Sequence, residues 1–172
     1  MKWIVIVVAV LLGVPALVAL VGSLLPKGHS AARRATFRQS PEALWRVLTD
    51  YAAMPSWRTD LRAVERLPDR DGHAVFQETD RHGRKLLLET VEAVPPRRLV
   101  GRIADPKLPF GGTWTYEITP AAGGTMLTIT EDGEVYNPIY RFVARFIVGY
   151  TGTMEAYLKA LAAKFGEQVV IE

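Results

Sequence analysis

From Trp3 to Leu25 the chain reads WIVIVVAVLLGVPALVALVGSLL, 23 residues without one ionisable side chain. As a helix that run extends about 35 Å, enough to cross a hydrocarbon core of roughly 30 Å. The sequence therefore predicts a single transmembrane helix, with residues 1–26 as an anchor. Lys2 and Trp3 stand at one end and Pro26 and Lys27 at the other, where interfacial anchors belong. Gly13 and Pro15 are breakers that a membrane helix tolerates. A cleaved secretory signal fits less well: its basic region would hold only Lys2, the apolar run exceeds the usual length of about 7 to 15 residues, and Val21-Gly22-Ser23 is a weak cleavage site.

The net charge of +3 is unevenly placed, because residues 39–172 hold 16 Lys and Arg against 18 Asp and Glu. The excess sits in Lys2, Lys27, Arg33, Arg34 and Arg38. A basic cluster directly after an apolar helix suits anionic headgroups, whereas nucleic acid would need a basic face on the domain itself, so no nucleic-acid partner is expected. The same cluster favours a cytoplasmic soluble domain by the positive-inside rule. The chain has no cysteine, which excludes disulfide frameworks, thiolate metal sites and cysteine nucleophiles. Its three histidines are dispersed: His29 falls in an apparent linker, and His73 and His82 beside turn glycines Gly72 and Gly83. No metal or cofactor is expected, and no catalytic residue stands out. Of the serines, Ser23 lies in the apolar run, Ser30 in the linker and Ser40 at a helix start, while Ser56 lacks any nucleophile motif around it.

Residues 27–30 read as a short polar linker and 31–172 as one domain. Ala31 to Arg38 is extended. Ser40-Pro41-Glu42 opens a helix, with a serine cap, proline at the first helical position and an acid in the first turn. That helix buries Leu44, Trp45, Val47 and Leu48 and stops near Asp50, before a second short turn, Tyr51 to Met54. Strand patterns then follow at Leu61–Leu67, Val75–Asp80, Leu86–Val94, Arg98–Ile103, Thr113–Thr119 and Met126–Val135, divided by turn residues such as Gly123-Gly124. The connections leave no room for crossovers, so the sheet of about seven strands should be antiparallel. From Ile139 to Phe165 one apolar stripe recurs at helical spacing, and Gly149 and Gly152 predict a bend or a junction within it.

The ordered set SPEALWRVLTDYAAMPSW, GTWTYEITPAAGGTMLTITEDGEVYNP, YRFVARF and YLKALAAKFGE resembles the START-like SRPBCC superfamily, specifically its polyketide cyclase/dehydrase and lipid-transport group. The resemblance spans about residues 30–167. It implies an α+β helix-grip fold, in which a curved antiparallel sheet wraps a long C-terminal helix and leaves an apolar cavity between them.

Within that fold the period-2 sets Trp114, Tyr116 and Ile118, and Leu127, Ile129 and Glu131, point to one face of the sheet. With Trp57 at the rim and Phe142, Phe146, Tyr150 and Met154 on the helix, they are the candidate ligand-binding residues for a hydrophobic small molecule or lipid. For any one of them an ordinary core role competes. Glu131, beside Asp132 and Glu134 where a bulge at Gly133 is expected, would have a raised pKa and act as a general acid if buried in such a pocket. The competing reading is a solvated loop residue, or a partner for Arg141 or Arg145. The function expected is non-covalent binding of such a hydrophobe by a membrane-anchored domain; the alternatives are a cyclase, aromatase or dehydratase using a cavity carboxylate, and an interaction module for membrane assembly.

Overall fold

The computed structural model describes residues 2–172; within the first helix the side chains at positions 4–10 and 12 lie outside the described set. Helix α1 spans Lys2–Leu24. Among the described residues, no helix is long and apolar enough to cross a membrane, and much of the expected anchor falls on the residues left outside.

Seven strands follow: β1 (Gly28–Phe37), β2 (Leu61–Arg70), β3 (His73–Asp80), β4 (Lys85–Val94), β5 (Arg98–Ile103), β6 (Phe110–Ala121) and β7 (Gly124–Val135). They form one sheet in the order β1-β7-β6-β5-β4-β3-β2, and every pairing is antiparallel. Five consecutive hairpin connections build β2 through β7, and β1 then adds to the outside of β7. The seven-stranded expectation holds, with strand ends longer by a few residues than the alternation alone indicates.

Two features differ from expectation. Gly28, His29 and Ser30 are strand rather than linker, paired with Glu134, Gly133 and Asp132. The ladder through Gly133 is unbroken on both sides, so no bulge forms there; the register shifts fall in β2 and at Thr90/Glu92 of β4. The C-terminal helix divides at the junction that Gly149 and Gly152 predict, into α3 (Pro138–Val143), one π-helical turn at Ala144–Val148 and α4 (Gly152–Lys164). Gly149 separates the last two at φ 80°, a left-handed conformation that disfavours any residue with a Cβ.

Helix α2 (Pro41–Thr49) starts as predicted, the Ser40 side chain accepting the Ala43 N–H at 3.2 Å, and a 3-10 turn at Tyr51–Ser56 follows it. Leu44 and Leu48 of α2 and Met154, Leu158 and Leu161 of α4 bury themselves against Phe37, Leu127 and Ile129 of the sheet, all 1% exposed or less. Most of the domain's hydrophobic stabilisation arises in that layer. Arg33 fastens it at the edge: its Nε donates to Glu155 of α4 at 2.8 Å. The β1 edge is partly covered by the C-terminal tail, since Arg34 and Glu172 exchange backbone hydrogen bonds of 3.0 Å in both directions. That contact protects strand groups that would otherwise stay unpaired.

Helix α1 is seated on the domain. Its last turn lies against α3, where Gly22 is buried and a Cβ there would collide with the Pro138 carbonyl. Arg141, 8% exposed, donates from Nη1 to the Leu25 carbonyl at 2.7 Å. A cation at this position meets the negative end of the helix dipole.

Candidate functional site

Strand registers place Ala74, Thr90, Gly101, Trp114 and Glu131 in one row across the sheet. Leu99, Tyr116 and Ile129 form a second row. Leu99 and Ile129 belong to the buried core, so both rows face α4. Phe76, Leu88 and Ile103 are aligned in a third row on the same face.

The face carries two connected groups of side chains. In the first, Arg58 and Glu78 form an ion pair of 2.7 Å beneath Tyr157, with the Arg58 guanidinium 5.4 Å from the ring centre. Trp57 and Tyr116 pack on the same ring, at centroid distances of 5.4 and 5.6 Å. Nearby, Tyr51 stacks on Phe76 at 3.7 Å and shares a 2.9 Å hydrogen bond with Thr90. Burial pushes the Glu78 carboxyl up from its ordinary value, and Arg58 pulls it partly back. Burial works against the Arg58 charge, but Glu78 and Asp60 outweigh it and hold the guanidinium firmly protonated. Enclosure raises both tyrosines, Tyr116 well above its ordinary value and Tyr157 strongly, so both are neutral hydrogen-bonding groups.

The second group centres on Glu131. One carboxylate oxygen accepts the Trp114 indole N–H at 2.8 Å, and the other lies 3.1 Å from His29 Nε2. His29 stacks on Tyr150 with ring centres 3.8 Å apart. Gly133 makes room for this arrangement, because a Cβ there would run into the His29 ring. Neither Arg141 nor Arg145 serves as the partner of Glu131; the carboxylate is held by a tryptophan and a histidine. Trp114 stands 6.1 Å from both Tyr116 and Tyr157 and so joins the two groups.

Of the residues expected to line a ligand site, Trp114, Tyr116, Glu131, Phe142 and Tyr150 are half-buried, and among these Trp114, Tyr116 and Glu131 share the concave face. Leu127, Ile129 and Met154 are fully enclosed and Trp57 nearly so; they are packing residues. Phe146 departs from expectation: it is 59% exposed, because the π-helical turn and the break at Gly149 rotate it away from the stripe it would continue in an unbroken helix. The basic cluster is also rearranged, with Arg33 paired to Glu155 and Arg34 to Glu172, while Lys27 and Arg38 are exposed.

At the centre of the concave face is Gly101, between Thr90 and Trp114. A Cβ added there meets no atom within 4 Å, and its neighbours Leu88, Ile103, Trp114 and Tyr116 retain accessible surface. The floor of the sheet is therefore open at this point. Two hollows, of about 320 and 480 Å³, lie away from this face, against the tail around Arg34, Val169 and Glu172. Gly101, His29 and Glu78 were not among the expected site residues. A lone glycine within a strand pattern signals close approach or open space, and extending the alternation of Ala31, Arg33 and Ala35 back two residues would have brought His29 onto the same face.

A family model described as polyketide cyclase / dehydrase and lipid transport matches residues 29–166. The di-domain ARO/CYC protein StfQ of the steffimycin biosynthetic pathway superposes with a TM-score of 0.63 at 14% identity, over 79% of this chain and 50% of that one. The chain thus spans half the length of StfQ. Protein CV1439 from Chromobacterium violaceum gives 0.54 at 20% identity, over 84% and 100% of the two chains. Protein MLL2253 from Mesorhizobium loti gives 0.57 at 20%, over 77% and 93%. These likenesses concern the fold. No curated protein matches the chain.

Proposed function

The chain belongs to the polyketide cyclase / dehydrase and lipid transport family, and from that premise we propose that it binds a hydrophobic small molecule or lipid, without covalent chemistry, on the concave face of its sheet. Helix α1 would hold it to a membrane as a single-pass anchor, with the domain on the cytoplasmic side. The open floor at Gly101 carries this reading. It is walled by indole, phenol and aliphatic side chains, and apolar clefts with a few fixed polar groups are the usual form of small-molecule sites. Arg58 and Glu78 satisfy one another beneath the packed rings of Tyr116 and Tyr157, which suits this group to orienting a guest rather than reacting with it. A tethered cleft also meets lipid-phase ligands at raised effective concentration.

Gly101→Phe tests the reading, because the backbone there needs no left-handed conformation and the ring would fill the open floor. Native mass spectrometry of the full chain should show bound hydrophobes in the wild type and their loss in the variant, with circular dichroism unchanged. A wild type that takes up no hydrophobe from a lipid extract, or a variant that binds as well, would overturn it.

One observation favours a cyclase or dehydratase as the second reading: Glu131 is fixed between Trp114 and His29 beside the same face. On that reading Glu131→Gln abolishes turnover of a polyketide-like substrate and leaves uptake intact.

A further inference from the structure

We infer that α3 and the π-helical turn are a membrane-surface seat, resting on an anionic phospholipid bilayer with Phe146, Ile147 and Val148 in its interfacial layer. Those three side chains are 59%, 71% and 71% exposed, in a segment that α4 does not cover. Tyr140, 52% exposed, extends the same surface along α3. Consecutive large apolar residues at such exposure call for a covering medium.

What covers them follows from the seating of α1. The Gly22–Pro138 approach and the Arg141 bond to the Leu25 carbonyl fix the end of α1 on α3, so the apolar helix and the apolar turn are parts of one continuous surface. Leu20 and Leu24 of α1, 60% and 79% exposed, add to the exposed apolar surface at the α1 end of α3. A medium that solvates the apolar run of α1 also reaches the turn. The charges agree: Lys27 follows α1 directly, Arg145 interrupts the turn, and the β3–β4 and β5–β6 connections, with exposed Arg81 and Lys107, lie at the same end of the sheet as the start of β1. Lysine and arginine beside an apolar surface favour anionic headgroups. Tyr150 follows this turn and stacks on His29, so the seat also orients the end of the concave face that carries Glu131 toward the lipid.

The inference rests on α1 being a membrane anchor, and the experiment separates the two. Because the chain has no cysteine, Val148→Cys, Leu17→Cys and Ala122→Cys each introduce a unique site for an environment-sensitive fluorophore. Ala122 is exposed on the β6–β7 turn, at the opposite end of the sheet. The full-length variants are reconstituted in phosphatidylcholine–phosphatidylglycerol vesicles containing nitroxide lipids. The label at 148 should shift to the blue and lose emission to headgroup-proximal nitroxide, whereas the label at 122 should do neither. Loss of emission at 17 with none at 148 would overturn the seat and leave the anchor standing; no loss at 17 would remove the anchor, and the seat would survive only if 148 is still quenched. A blue shift at 148 without lipid quenching, in a dimeric chain, would assign the surface to a second copy and overturn the inference.

Discussion

Single side chains on the concave face are bound to one another closely enough that removing one should be costlier than its own contacts suggest. Glu78 is 6% exposed and is the partner that offsets the buried Arg58 charge. Glu78→Ala should destabilise the domain by about 3 kcal/mol, and a paired replacement of Arg58 and Glu78 by apolar residues of similar size should cost less than either single change. A double-mutant cycle in urea measures this; additive losses would show that the pair is not coupled. The Glu131 group was partly legible, since alternation placed Glu131 beside Trp114 on the inner face. Its partner was not, because the Gly-His-Ser sequence at the start of β1 has the composition of a linker and only the ladder to β7 makes it strand. Arg58 and Glu78 are separated by a turn and a whole strand, and no local pattern connects them.

Strands were the readable elements. Alternating faces and turn residues located all seven, and the antiparallel order followed from short connections. After Asn137 the glycines located the junction at Gly149, but helical periodicity carried no sign of the π-helical turn before it, and that is why Phe146 was assigned to the interior. At its edge, α4 is fastened to β1 by Arg33 and Glu155. The hydrogen bond from Arg33 holds the Glu155 carboxyl below its ordinary value. A carboxylate depressed in the folded state contributes stability above its unfolded pKa of about 4.3, and that contribution disappears as pH falls through the folded value. Stability measured by urea unfolding should therefore drop with acidification below about pH 4. In Arg33→Ala the part of that slope due to Glu155 should be missing; an identical slope in both proteins would show that the clamp contributes nothing.

At the level of the whole molecule, the arrangement of α1 on α3 makes the N-terminal helix part of the domain's surface rather than a loose tether. A chain beginning at Lys27 retains every strand but removes the neighbour of Pro138 and the carbonyl that Arg141 engages, while Arg141 Nε already lacks a partner among the described residues. Leaving that guanidinium without its main acceptor in a mostly buried position is unfavourable. Hydrogen exchange should show faster exchange across residues 138–148 in the shortened chain and unchanged protection in β6 and β7; uniform protection in both would mean that the seating carries no stability. The overall shape was foreseeable as a curved sheet with helices on one side. That α1 docks on this shape was not, because the glycine and arginine that permit it are distant in sequence and carry no periodic signal.

The pairing of the first strand with the last has a temporal side. Between Phe37 and its ladder partner Thr125 the chain must complete five other strands, so β1 leaves the ribosome with nothing to bind and waits until β7 has been synthesised. Domains dominated by such distant contacts acquire their native arrangement slowly. In the newborn polypeptide, the residues that later position His29 and Arg33 are thus the earliest of the sheet to be made and among the last to find their place.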